Sequence, residues 1–295
     1  KELPTVSIII PAYNEEETLP SVIKEIDMVM KKTKYVYKIM VLDDGSVDNT
    51  VKVAKKAGAI VYSNLRNRGL AETFKHEMRR CLDLNADIIV HTDADGQYPA
   101  EYIPVMLKEI AKGNDLILGS RFAGEIEDMP CLKKWGNIAF AKVFAQLTKT
   151  KITDSTTGFR AFTKDVAKEI ELNTDFTYTH EQLLKASRLK FKIKEIPIYA
   201  RKTRESKLMK GPIDYAIKAW INLFRIQRDY NPLGFFGKIG IIFLTVGILL
   251  GLWIVQTFLL TGQTGGIPRT ILSVLLILTG VQIIFFGFLA EMQKK

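Results

Sequence analysis

Asp93 and Asp95 straddle one residue just beyond the apolar run Ile88-Ile89-Val90, and Gln97 follows two residues on. A strand ending there delivers two carboxylates and a neutral amide oxygen to one point. Hard oxygen donors suit Mg2+ or Mn2+, ions that usually complete their shell with substrate phosphate oxygens. Asp93, Asp95 and Gln97 are therefore the candidate metal ligands. Two more polar clusters follow apolar runs in the same way: Pro11-Ala12-Tyr13-Asn14-Glu15 and Asp43-Asp44-Gly45-Ser46. A carboxylate of the second can accept an imide N–H from a nucleotide base, and Tyr13 can stack on that base. Asp-Gly is also a turn signal in its own right.

The elements that must position these clusters are legible. Val6–Ile10, Lys38–Leu42, Ala59–Tyr62, Ile88–His91 and Leu116–Leu118 are short apolar runs rich in β-branched residues. Helical patterns separate them at Thr18–Met30, Asp48–Ala57, Leu70–Leu84 and Ala100–Ile110. This alternation predicts an α/β domain with a mostly parallel, Rossmann-like sheet covered on both faces. Ligands of such sheets sit at the carboxyl ends of the strands, so the three polar clusters should converge on one edge. The chain has neither the GxGxxG fingerprint of dinucleotide enzymes nor the GxxxxGK[ST] loop of nucleotide triphosphatases.

The chain of 295 residues carries a net charge of +10. Its basic residues are not interleaved with aromatics as a nucleic-acid stacking surface requires, so no nucleic-acid partner is expected. Many precede an apolar tail: Arg201, Lys202, Arg204, Lys207, Lys210, Lys218, Arg225, Arg228 and Lys238. That placement suits phosphate ligands and anionic lipid headgroups. Ile239–Leu260 and Thr270–Ala290 contain no charge, and each exceeds the ~20 residues that cross a ~30 Å hydrocarbon layer as a helix.

The connection Thr261–Arg269, with Gly262, Gly265, Gly266 and Pro268, predicts a tight turn between two antiparallel transmembrane α-helices. Positive charge at both outer ends places the soluble domain and the C-terminus in the cytosol, and no cleavable leader is read in Lys1–Asn14. The expected organisation is a soluble α/β domain over residues 1–231 and a two-helix membrane hairpin over 232–295, an integral membrane protein. Trp253 falls in mid-span and is not expected to anchor an interface. Leu132–Leu147, with Trp135, Ile138, Ala139, Val143, Phe144 and Leu147 on one side, fits either a helix in the membrane interface or core packing. The same holds for Ile213–Tyr230. Cys81 and Cys131 are isolated and expected reduced. A homo-oligomer is compatible with this organisation.

The three clusters together resemble the family 2 glycosyltransferases of the GT-A fold. Gly119-Ser120-Arg121, Thr157-Gly158-Phe159-Arg160 and Glu205-Ser206-Lys207-Leu208 narrow the likeness. They resemble the polyprenyl-phosphate glycosyltransferases, the dolichol-phosphate mannose and glucose synthase group. The similarity runs from about Val6 to Leu208. It implies that Pro11, Ala12, Tyr13, Glu15 and Asp44 hold the nucleoside, that Asp93 lies beside the ribose and diphosphate, and that Asp95 and Gln97 bind the metal. It implies that Arg121, Arg201, Arg204, Ser206 and Lys207 hold the donor diphosphate or the lipid phosphate, with Asp154 near the sugar. Asp95, Asp154 and Arg121 are then the catalytic residues. Gly96 and Tyr98 replace the Leu and His of many mannose-synthase relatives, which favours UDP-glucose or UDP-N-acetylglucosamine over GDP-mannose as the nucleotide sugar.

The chemistry agrees with an acceptor that is a dolichyl or undecaprenyl phosphate. A hydroxyl acceptor loses a proton as it attacks and needs a carboxylate base. A phosphate is already anionic at pH 7, and its difficulty is repulsion from the anionic donor, which cations screen. In-line displacement would invert the anomeric carbon, with Asp154 orienting rather than acting as base. A processive polysaccharide synthase would need a Gln-x-x-Arg-Trp motif; the chain offers Gln182-Leu183-Leu184-Lys185-Ala186 and has no Arg-Trp pair. A silent lipid- or partner-binding module has no use for the Asp93, Asp95 and Gln97 set.

Overall fold

A computed structural model describes residues 4–127, 131–170, 178–202, 221, 224–225, 227–263 and 266–293. The chain divides into two compact units, residues 1–212 and 213–295. The first unit holds a seven-stranded sheet. Its strands are β1 (Thr5–Ala12), β2 (Val36–Asp43), β3 (Ile60–Ser63), β4 (Ile88–His91), β5 (Leu116–Ile126), β6 (Arg160–Thr163) and β7 (Ile193–Ala200). They lie in the order β3-β2-β1-β4-β6-β5-β7. All pairings are parallel except the two made by β6, which runs against β4 and β5.

The helices of this unit are α1 (Leu19–Met30), α2 (Thr50–Lys56), α3 (Leu70–Asp83), α4 (Ile103–Ala111), α5 (Cys131–Thr148), α6 (Lys164–Glu169) and α7 (Tyr178–Arg188). In α1 the apolar residues recur at helical spacing, and Leu19, Val22, Ile23, Ile26 and Met30 are the buried ones. They share one core cluster with Val6, Ile8 and Ile10 of β1 and with Met106, Leu107 and Ile110 of α4. On α3, the Phe74 ring meets His91, Phe162 and Tyr178.

The expected helix at Ala100–Ile110 begins with a 3-10 turn at Ala100–Tyr102, and α4 follows with a proline in its first turn. Proline has no N–H to give, and a first turn does not need one.

The buried stripe of α5 differs from the one read in the sequence. Asn137, Phe140, Ala141, Phe144 and Thr148 are buried, whereas Trp135 is 70% exposed. Phe140 and Phe144 both stack on the His180 ring of α7, with centroids at 5.4 and 4.5 Å. Those ring contacts fix the rotation of the helix. Cys81 is buried, and burial pushes its thiol well above the ordinary range, so it is inert.

The second unit contains two helices long and apolar enough to cross a membrane, α8 (Pro232–Thr261) and α9 (Ile267–Met292). Asn231 caps α8 by accepting the Gly234 N–H at 3.2 Å, and Pro232 supplies its first turn. The helices pack along small residues: Gly240, Gly247, Ser273, Gly280 and Gly287. A Cβ at Gly280 would lie 2.7 Å from the Leu244 backbone nitrogen, so only glycine lets the backbones approach this closely. Ser273 Oγ donates to the Gly247 carbonyl at 2.8 Å. Trp253 has a specific partner: the Arg269 guanidinium lies 5.2 Å over its ring.

Candidate active site

The sheet brings the three sequence clusters to one edge. β1 and β2 run in register to Ala12 and Asp43, and the Asp44 N–H donates to the Ala12 carbonyl at 2.9 Å. Asn14 and Ser46 then lock the two loops, with Asn14 N–H donating to Ser46 Oγ and Val47 N–H to Asn14 Oδ1, both at 2.9 Å. Tyr13 is 44% exposed at this edge, beside partly buried Pro11 and buried Ala12. The Glu15 N–H is held by Thr50 Oγ1 at 2.8 Å. Beyond β4, the Thr92 N–H donates to the Ile9 carbonyl at 3.0 Å, which carries Asp93 and Asp95 to the same edge.

The antiparallel course of β6 completes the site. Its first residue, Arg160, pairs with His91 and with Leu118, so the residues before it lie beside the carboxyl ends of β4 and β5. Gly158 therefore packs directly on Asp93: a Cβ there would sit 2.8 Å from Asp93 Oδ1 and 3.2 Å from Oδ2. The Gly158 carbonyl lies 2.8 Å from His91 Nδ1, and His91 Nε2 lies 3.3 Å from Glu77 in full burial.

Asp154 and Arg121 form a buried pair. Arg121 Nε and Nη2 grip the two carboxylate oxygens at 2.7 and 3.0 Å. The Arg121 N–H and the Thr156 N–H and Oγ1 bring the donors on this carboxylate to five. Burial pushes the Asp154 carboxyl up, but the guanidinium and the donated bonds override it and hold it below the usual carboxylate range. Register between β5 and β7 breaks between Ser120 and Glu125, and this irregularity spans Arg121. The remaining nitrogen of Arg121, Nη1, has no hydrogen-bond partner among the described residues.

Asp93 shows the opposite environment. No described residue donates a hydrogen bond to its carboxylate. Burial and then the nearby Asp95 charge outweigh the pull of His91 and Arg121, and its pKa is pushed up to about 6. Asp95 spends one oxygen on the Gln97 N–H at 3.0 Å. This donor set fits a hard divalent ion, since unpartnered carboxylate oxygens in mutual repulsion are what such an ion relieves. No third His, Cys, Asp or Glu joins the pair among the described residues, so Gln97 and substrate oxygens would fill the shell.

Arg201, expected at a phosphate, is paired with a carboxylate. Its Nη1 and Nη2 reach Glu25 Oε2 and Oε1 at 2.8 and 3.0 Å. Its N–H donates to the Gln97 carbonyl at 3.0 Å, and Glu25 Oε1 also takes the Ala100 N–H. Arg201 thus ties the exit of β7 to the Asp95–Gln97 turn. Arg204, Ser206 and Lys207 lie outside the described residues.

Several residues hold the site in roles the sequence reading did not give them. Arg160 is fully buried and donates to the Ser155, Thr157 and Thr179 carbonyls and to Gln182 Oε1. Glu195 on β7 accepts from the Thr153 and Asp154 N–H groups at 2.9 Å. Tyr98 is buried and stacks on Phe159 with centroids 5.2 Å apart, so it braces the loop from behind.

A mostly parallel sheet with two strand-end carboxylates at its edge and an arginine–carboxylate pair facing them has a match among known proteins. The family model described as Glycosyl transferase family 2 matches residues 7–171. The chain belongs to the family 2 glycosyltransferases. A dolichyl-phosphate hexose transferase of Haloferax volcanii is 32% identical over 205 residues, 69% of this chain and 86% of that protein. A dolichol-phosphate mannosyltransferase of Pyrococcus furiosus is 29% identical over 290 residues, 92% of this chain and 78% of its own. Among solved structures, the fold is shared with glucosyl-3-phosphoglycerate synthase from Mycobacterium tuberculosis in complex with Mn2+, UDP and phosphoglyceric acid. That likeness has a TM-score of 0.60 at 20% identity, over 76% of this chain and 78% of that one.

Two outcomes follow for this glycosyltransferase. Gly158→Ala pushes a methyl into Asp93 and should weaken metal-supported nucleotide binding by at least about tenfold, the scale of one misplaced charge-assisted contact. Its unfolding transition should stay near wild type, and titration calorimetry with a thermal melt reads both. Secondly, Glu25→Arg combined with Arg201→Glu should recover the turnover lost in either single variant. A swapped pair that stays inactive while Glu25→Gln works would make Arg201 a phosphate ligand.

Proposed function

We propose that this glycosyltransferase moves a hexose from a nucleoside diphosphate sugar to a polyprenyl phosphate in the membrane, inverting the anomeric carbon. One observation carries the acceptor. Asp154, the carboxylate expected near the sugar, is fully buried, filled by five donors and held acidic. It has neither a free lone pair nor the pKa of a base, and a general base needs both. An acceptor that attacks without losing a proton, a phosphate, fits such a site. The naming of relatives such as the dolichyl-phosphate hexose transferase, and the two span-length helices of this chain, support the same acceptor.

Asp93, Asp95 and Gln97 would hold Mg2+ or Mn2+, which neutralises charge on the leaving nucleoside diphosphate. Arg121, held rigid by Asp154, aims Nη1 at anionic oxygen. Arg204, Ser206 and Lys207 supply further donors for the lipid phosphate. Tyr13, Pro11, Ala12, Glu15 and Asp44 form the nucleoside wall. The catalytic unit and the C-terminus face the cytosol, where nucleotide sugars are made available.

The acceptor is tested by turnover on polyprenyl phosphate and on the matching polyprenol. Only the phosphate should accept sugar, and Asp95→Ala or excess chelator should abolish transfer; equal use of the polyprenol would sink the base-free mechanism. Orientation is tested with a cysteine placed at Gly265, which should label from outside intact cells while one at Lys295 stays protected. The reverse pattern would invert the topology.

A further inference from the structure

The carboxylate assigned to the base is already partly filled by its own chain. Asn64 Nδ2 donates to Asp44 Oδ1 at 2.8 Å, and the Arg68 N–H reaches the same oxygen at 3.0 Å. The Gly69 N–H donates to Oδ2 at 2.9 Å. A carboxylate has about four acceptor sites, two on each oxygen. Oδ1 is therefore full, and Oδ2 keeps one site.

This filling is held in place from behind. His76 Nδ1 lies 3.1 Å from Asn64 Oδ1, which fixes the amide with its NH2 toward Asp44. The Asn64 N–H donates to the Asp43 carbonyl at 2.8 Å. The Arg66 backbone presses on Gly45, whose φ is +78°, and a Cβ there would sit 2.7 Å from the Arg66 carbonyl carbon. The Asn64 backbone bond and the close approach of the Arg66–Asn67 backbone to Gly45 tie this loop to the end of β2.

We infer that Asn64, braced by His76, makes Asp44 a reader of one base N–H and so selects uracil-type bases over guanine. The inference rests on the donor reading above, which puts the nucleoside at Asp44. Uracil, like its 5-methyl form, offers a single N3–H between two carbonyls. Guanine offers N1–H and N2–H side by side, a fork that needs both carboxylate oxygens. With Oδ1 occupied, one guanine donor would be desolvated against a filled acceptor. A site built for one hydrogen-bond pattern rejects a base that leaves a polar group unpaired. Cytosine presents an acceptor at N3 and loses the bond altogether.

The full chain, purified in detergent with Mn2+, is titrated calorimetrically with UDP, GDP and CDP. UDP should bind at least about tenfold tighter than either of the others, the worth of one charge-assisted bond. Asn64→Leu opens a site on Oδ1, and the UDP preference over GDP should narrow severalfold. If that variant does not fold, His76→Leu frees the Asn64 amide to turn and should give the same narrowing. GDP or CDP binding as tightly as UDP to the wild type overturns the inference while leaving the glycosyltransferase reading intact. So does an unchanged UDP-to-GDP ratio in the folded variant. If none of the three nucleotides binds, the donor reading falls and this inference falls with it.

Discussion

The Arg121–Asp154 pair sits where water barely reaches, with Asp154 fully buried and Arg121 8% exposed. Two charges in such a place are costly, and their attraction offsets the cost only with good geometry and satisfied lone pairs. Here the guanidinium lies along the carboxylate and Thr156 fills what remains. Removing one partner would strand the other, at about 3–5 kcal/mol, a large share of a domain's stability margin. The pair therefore fixes the loop from Thr153 to Phe159, and that loop sets Gly158 on Asp93. Glu195 on β7 and Arg160 at the start of β6 hold the same loop by its backbone, and Arg160 ties it also to the Thr179 carbonyl of α7.

That loop reaches the active edge because β6 runs backwards. In a wholly parallel sheet, the segment leading into a strand lies at the amino edge, away from ligands. Reversing one strand brings Thr157, Gly158 and Phe159 beside the ends of β4 and β5. The reversal also buries a cation. Arg160 opens β6 within the fully buried layer, and burial pulls its pKa down to about 10 without discharging it at neutral pH. Four oxygen acceptors replace its water.

The first five strands and the first four helices were legible because each apolar run is β-branched and each helix keeps its period. The strand clusters at Tyr13, Asp44 and Asp93 followed from the order of those elements. β6 escaped because four residues beginning with arginine show no alternation to read. β7, Ile-Lys-Glu-Ile-Pro-Ile-Tyr-Ala, alternates across one buried face, but its lysine, glutamate and proline dilute the apolar signal. The supporting residues escaped for another reason. Glu25 meets Arg201 across 176 positions, and Asn64 meets Asp44 across 20; nothing local in the sequence marks either partner. The Glu25 partner of Arg201 escaped because a basic run before an apolar tail does not reveal which of its members already has a carboxylate.

The aspartates of the site differ in how far the protein has filled them. Asp154 takes five donors, Asp44 three, Asp95 one, and Asp93 none among the described residues. An acceptor site that the fold occupies is withdrawn from ligands, and one left open in partial burial costs free energy until something binds. The order of filling is thus an order of roles. A saturated Asp154 can only orient its arginine. Asp44, with one site open, can recognise a single N–H. Asp95 and Asp93, the least satisfied and the closest to mutual repulsion, are left to a cation and the phosphates it brings. The same side chain performs three different tasks within one edge because its surroundings, backbone and side chains together, supply it with different numbers of donors.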